Sequence, residues 1–148
     1  MTWTKQLLTA IAVHLDAQSV GRWIEPGSGL VYAASDIAIV FSRLPSTPDR
    51  AIALAAYGVD QFADDPVNTD STQGVQARVR GAREDPTSVD DIADAIFDAL
   101  QGWQAPAAGI LLCTRRINAP MGVDTNQRWE RADSYHLLMH RPSTYRPG

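Results

Sequence analysis

His136 and His140 stand four residues apart. On a helix that spacing would let both imidazoles hold one metal ion. On a strand, four residues span about 13 Å, too far for a shared ion. The alternation around them assigns a strand, so both rings are read as surface or sheet residues and no metal is expected. Asp60, Asp64, Asp65 and Asp70 offer the carboxylates a hard cation wants. The run lacks the alternating acids, central glycine and terminal glutamate of a calcium loop, and reads as a solvated acidic stretch. Cys113, inside the apolar run 110–113, is expected as a buried small hydrophobe and not as a nucleophile. Gly27 and Gly29 precede no capped helix and match no phosphate-cradling pattern. Nothing assembles a nucleophile, a base and an oxyanion donor, so neither enzymatic activity nor a cofactor is expected.

Arginines carry the strongest remaining signal. Arg115 and Arg116, with Arg128 and Arg131, make a basic cluster if their strands pair. Such a cluster suits an anion site, as in a small enzyme or ligand-binding domain. Ion pairing to the acidic loop of another subunit explains it equally well. Asp94 and Asp98, one helical turn apart and alike in charge, indicate exposure or a cationic partner.

The elements that position these groups follow from hydrophobic spacing. Leu7, Leu8, Ile11 and Leu15 fit one face of a helix from about residue 4 to 17, with Thr4 as its cap, Trp3 at the head of the stripe and His14 packing beside it. From 19 to 35 the glycines and Pro26 break any pattern, leaving a loop with a short strand at 30–33. Residues 37–41 and 51–59 read as neighbouring strands around a proline-rich turn. Residues 60–71 read as a long surface loop. Val75, Ala77 and Val79 alternate with Gln76, Arg78 and Arg80, as a half-buried strand requires. Val89, Ile92, Ala93, Ile96, Phe97 and Leu100 form one helical stripe. Thr87 or Ser88 is its expected cap, and Gly102 its stop. A strand at 109–117, broken near Pro120, and a long strand at 127–139 complete the order. Helices and strands in this sequence predict an α+β domain, with two helices on one face of a mostly antiparallel sheet. Residues 1–141 form the domain and 142–148 a flexible tail.

The chain's 148 residues suit one domain with a real core. Hydrophobic residues at 45% and charged residues at 20% exclude a wholly disordered chain. The longest nearly apolar run, 51–59, falls short of the ~20 residues that cross a bilayer, so no membrane span is expected. No clean secretory segment opens the sequence. With a single cysteine no intramolecular disulfide can form, which fits a reducing compartment. A net charge of −4 argues against a general nucleic-acid coat. It does not exclude a protein past which nucleic acid slides.

Residues 74–81, the Asp85-Pro86 break, the helical stretch 89–100, Arg115-Arg116-Ile117, the turn at 120–124 and the run 128–135 together resemble the minor capsid and tail terminator proteins of long-tailed bacteriophages. The resemblance covers residues 74–140 well and the first half by element order. It implies an α+β subunit of a six-membered ring at the head-proximal end of the tail tube, a structural virion protein assembled in the host cytoplasm. Its implied partners are copies of itself, the tail tube protein, and the head-tail connector or head-closure protein. DNA would pass through only transiently. The alternatives are the small enzyme or anion-binding domain that the arginine cluster would suit and, within virion proteins, a head-closure or other neck component. Rings use heterologous contacts, so each subunit needs two complementary patches. The expected pair is an acidic patch of Asp60, Asp64, Asp65 and Asp70 and a basic one of Arg78, Arg80, Arg115 and Arg131.

Overall fold

The computed structural model describes residues 2–59 and 65–148. Helix α1 spans Trp3–Ala17 and buries Leu7, Leu8, Ile11, Ala12 and Leu15, the stripe its spacing predicts. It begins earlier than expected. Thr2 is the cap residue, its carbonyl accepting from the Gln6 N–H at 2.9 Å, and Thr4 lies inside the first turn. Helix α2, Ser88–Leu100, buries Val89, Ile92, Ala93, Ile96 and Leu100. Its cap is a correction. Neither Thr87 nor Ser88 caps with its side chain; instead Asp85 Oδ1 accepts from the Thr87 N–H and hydroxyl and from the Ser88 N–H, at 3.0 to 3.3 Å. Thr87 has helical backbone angles, which turn its hydroxyl back toward Asp85. Gly102 stops the helix at φ +79°, the left-handed conformation that glycine adopts without steric cost. Phe97 departs from its stripe: it is half-buried at the rim, under the Arg115 guanidinium at 4.4 Å from the ring centre.

Six strands form one sheet in the order β1-β2-β3-β4-β6-β5, with β1 Arg22–Trp23, β2 Ala38–Phe41, β3 Ala51–Gly58, β4 Asp70–Arg80, β5 Ile110–Val123 and β6 Trp129–His140. Residues 30–33, expected as a short strand, are irregular; the pairing segment is β1, ahead of Pro26 and the glycines. Asp70 and Ser71 belong to β4, not to the preceding loop, because their backbones pair with His140 and Met139. The β3-β4, β4-β6 and β5-β6 pairs are antiparallel, whereas β1-β2 and β2-β3 are parallel. A parallel pair ordinarily needs a crossover of about a dozen residues or more. The link between β2 and β3 is only 42–50, which suffices because β2 itself rises only about 10 Å.

Strand β5 runs through the break expected at Asn118 and Pro120. It lies at the sheet edge, where a proline's missing N–H costs no ladder bond, and three register shifts absorb the irregularity. Both helices pack on one face, in one contiguous core with Ile39, Ile52, Leu54, Val75, Val79, Tyr135, Leu137 and Met139. His14 joins the helices, its Nε2 lying 2.9 Å from the Ala99 carbonyl and its ring stacked on Trp103 at 4.1 Å. On the opposite face Gly74 lets Tyr57 lie across β4; a Cβ there would meet the Tyr57 ring at 2.5 Å.

Cys113 is buried in that core, and burial pushes its thiol up to about 12. The thiolate is therefore negligible at pH 8, and Ellman's reagent should label no thiol in native protein and one per chain in denaturant. Stoichiometric labelling of the native protein within minutes would show that the β5 end of the core is open.

Candidate assembly surfaces

The link 42–50 explains where two of the expected site arginines go. Arg80, alternating onto the face away from the helices, is 4% exposed. Its Nε donates to the Asp49 carbonyl at 2.7 Å, and its Nη2 donates to the carbonyls of Pro45 and Pro48 at 2.5 and 2.8 Å. Arg128 approaches from the turn before β6, donating to the Ser46 carbonyl at 2.8 Å and pairing with Asp49 at 3.2 Å and Asp124 at 2.8 Å. The ends of the link hold backbone bonds, Ser42 N–H to the Leu54 carbonyl and the Arg50 carbonyl to the Ala38 N–H, and the two guanidiniums satisfy carbonyls between them. Burial, and then the neighbouring charge of Arg128, pull the Arg80 guanidinium below its ordinary value. Burial alone would raise Asp124, but the N–H and guanidinium of Arg128 bring its carboxyl below the usual range. Arg80 was expected on the wet side of its strand. Alternation places it correctly on the second face, but the returning link covers that face at this end.

A second cluster forms between β5, β6 and α2. Asp133 is 1% exposed and accepts two bonds from Arg131, at 2.7 and 3.0 Å. Arg131 also reaches Asp90 at 3.0 Å and Asp94 at 3.7 Å on α2, and Arg115 lies 3.5 Å from Asp133. Bonding to Asp133 raises the Arg131 guanidinium further above its ordinary value. Strands β5 and β6 pair as the basic cluster required, and Arg115 and Arg131 do converge. Arg128 does not join them, and Arg116 points elsewhere. Asp94 finds its cation within its own chain. Asp133 was missed by sequence reasoning. Its signal was a carboxylate in phase with the apolar positions Tyr135, Leu137 and Met139, where a charge must be paired.

Of the acidic residues, Asp60 and Asp64 lie outside the described residues. Asp65 Oδ1 accepts from the N–H groups of Val67 and Asn68 at 2.8 and 3.1 Å, bonds that hold its carboxyl below its usual range. Asp70 faces His140 Nδ1 at 3.1 Å. Arg78 pairs with Glu130 at 2.8 Å and stays substantially exposed. Asp70 and Arg78 share β4 but are eight residues, about 26 Å, apart. Acidic and basic ends therefore cannot meet within one subunit. Residues 142–148, expected as a flexible tail, include a turn in which Ser143 and Arg146 exchange backbone bonds and Arg146 donates to the Asp65 carbonyl at 2.7 Å.

At the other sheet edge the loop 24–36 is tied down by two residues. Asp36 accepts from the Ala33 N–H at 2.7 Å and from Arg22 at 2.9 Å, and the Tyr32 hydroxyl donates to the Ile39 carbonyl at 2.8 Å. Between loop and sheet lies an open cleft of about 320 Å³ walled by Trp23, Phe41, Tyr32 and Leu30. Among the described residues no group of three or more His, Cys, Asp or Glu is placed to hold a metal, and no helix is long and apolar enough to cross a membrane.

The model of a family described as bacteriophage tail terminator protein matches residues 6–139, from the first turns of α1 to the end of β6, and so takes in nearly all of this arrangement. The chain belongs to that family. Tail terminators are structural phage tail proteins, not enzymes, and the clusters above accordingly knit the subunit together. Among solved structures the fold is similar to a chain of the virion of a native gene transfer agent particle, with a TM-score of 0.59 at 13% identity, covering 90% of this chain and 93% of that one. At that identity the likeness is one of fold. No match is found among curated protein sequences. The tail-terminator assignment makes the protein a component of phage-like virions.

Proposed function

We propose that this tail terminator closes the tail tube as a ring of identical subunits, six in number as the resemblance implies, and joins it to the head connector or a head-closure protein. In this reading residues 1–141 act as one unit, assembly takes place in the host cytoplasm, and DNA passes the ring without being retained by it. The partner surfaces are the tube on one side and the connector on the other.

The observation that carries the ring is the separation along β4. Asp65 and Asp70 lie toward one end of the sheet, and Arg78 and Arg131 toward the other on its two faces, with Arg115 between them along β5; Asp60 and Asp64 lie outside the described residues. Patches of opposite sign that cannot meet in one chain can meet head to tail between neighbours, which is the contact a closed ring requires. Arg80 serves the interface indirectly, by fixing the link beneath Arg78. Each exposed ion pair contributes about 0.2 to 1 kcal/mol, so charge sets the register while apolar contacts supply most of the adhesion.

Negative-stain images of the purified protein should show rings with a central hole. The double substitution Asp64→Lys, Asp65→Lys should raise the monomer fraction in light scattering and reduce joined virions, with helicity unchanged. A protein that stays monomeric at high concentration in the presence of tube protein would refute the ring. Unaltered assembly by the double variant would move the contact away from the acidic stretch.

A further inference from the structure

Among the described residues, ten of the twelve arginines have a guanidinium engaged with a carboxylate, a carbonyl or a ring; Arg43 and Arg116 have none of these. Arg116 projects over the face of the sheet that the helices leave uncovered, into a cleft of about 220 Å³ lined by Thr72, Leu112, Thr114, Arg116, His136 and Leu138. Three strands contribute: Thr114 stands directly opposite His136 across β5 and β6, and Thr72 stands opposite Leu138 across β4 and β6. Among the described residues nothing hydrogen-bonds the side chains of Thr72, Thr114 or His136.

We infer that this cleft binds a phosphate-class oxyanion, with the Arg116 guanidinium as its charge partner and the Thr72 and Thr114 hydroxyls and the His136 imidazole N–H as its further donors. The donors come from three strands: Thr114 stands opposite His136, and Thr72 stands diagonal to His136 on its other side. Among the described residues no carboxylate lines the cleft, and Asp70, on the same face of β4, is already engaged with His140. Leu112 and Leu138, each about two-fifths exposed, border the donors. Burial, then the charge of Arg116, holds His136 below its ordinary value, so at pH 7 the ring is neutral and offers a single N–H. The site is complete in one chain and does not rest on the ring.

Titration with sodium phosphate at pH 7, against sodium chloride of equal ionic strength, should shift the NMR signals of the His136 ring and the Thr72 and Thr114 amides in a saturable way. Arg116→Gln, an exposed substitution, should weaken that binding at least tenfold. Arg43→Gln, elsewhere on the chain, should leave it unchanged. A short DNA duplex that displaces phosphate would assign the anion to a nucleic-acid backbone, and a duplex that does not would assign it to a small phosphate-bearing ligand. Either result supports the site. Shifts that are non-saturable or spread evenly over the surface, or an affinity unaltered by Arg116→Gln, would overturn it.

Discussion

Replacing Arg80 by alanine should destabilise the subunit by about 3–5 kcal/mol, the range seen when one side of a buried charged contact is removed. Three carbonyls of the link 42–50 lose their donor together, and the guanidinium that ties β4 to this link is gone. A domain of this size is stable by roughly 5–15 kcal/mol, so the loss is a large share of the total. At about 2–4 °C per kcal/mol, the thermal midpoint should fall by about 10 °C. Arg80→Lys should recover little, because one ammonium cannot reproduce a planar fork bonding through both Nε and Nη2. Urea melts of the three proteins would test this. A loss under 1 kcal/mol for Arg80→Ala would mean the link holds without its clamp.

A comparable loss, about 3 kcal/mol, is expected for Asp133→Ala. The carboxylate is buried, and its removal strands Arg131 and Arg115, leaving only the exposed Asp90 and Asp94 as counter-charges. The double substitution Asp133→Ala, Arg131→Met should be less damaging than Asp133→Ala alone, since the more buried of the two stranded cations is gone and only the partly exposed Arg115 remains without its carboxylate. If the two changes simply add, Arg131 is held by α2 and not by Asp133, and the network is two separate pairs.

What the sequence disclosed and what it hid divide along physical lines. Both helices were legible because Leu7 to Leu15 and Val89 to Leu100 repeat at 3.6 residues, a pattern that one buried face imposes regardless of what covers it. Strands β4 and β6 were legible from alternation for the same reason. Strand direction was not, because parallel and antiparallel neighbours demand the same residues when both are buried, and the 42–50 segment carried ordinary turn residues. The roles of the arginines were hidden more deeply. Arg80 and Arg116 look alike in sequence, each in or beside an alternating strand. One is enclosed by a loop that returns over it and the other faces an open cleft, a difference set by long-range packing. Asp85 displaced Thr87 as the cap because a carboxylate two residues earlier reaches the same donors when the chain turns.

The broken register of β5 also bears on whether the sheet can be extended by another strand. A long, regular, apolar edge would add strand after strand and grow without limit. Here Ile117, Met121 and Val123 lie exposed along such an edge. Yet shifts near Leu112, Ile117 and Gly122 and the missing donor at Pro120 deny any incoming strand a continuous ladder. An apolar edge is thus kept at the surface while endless sheet extension along it is blocked.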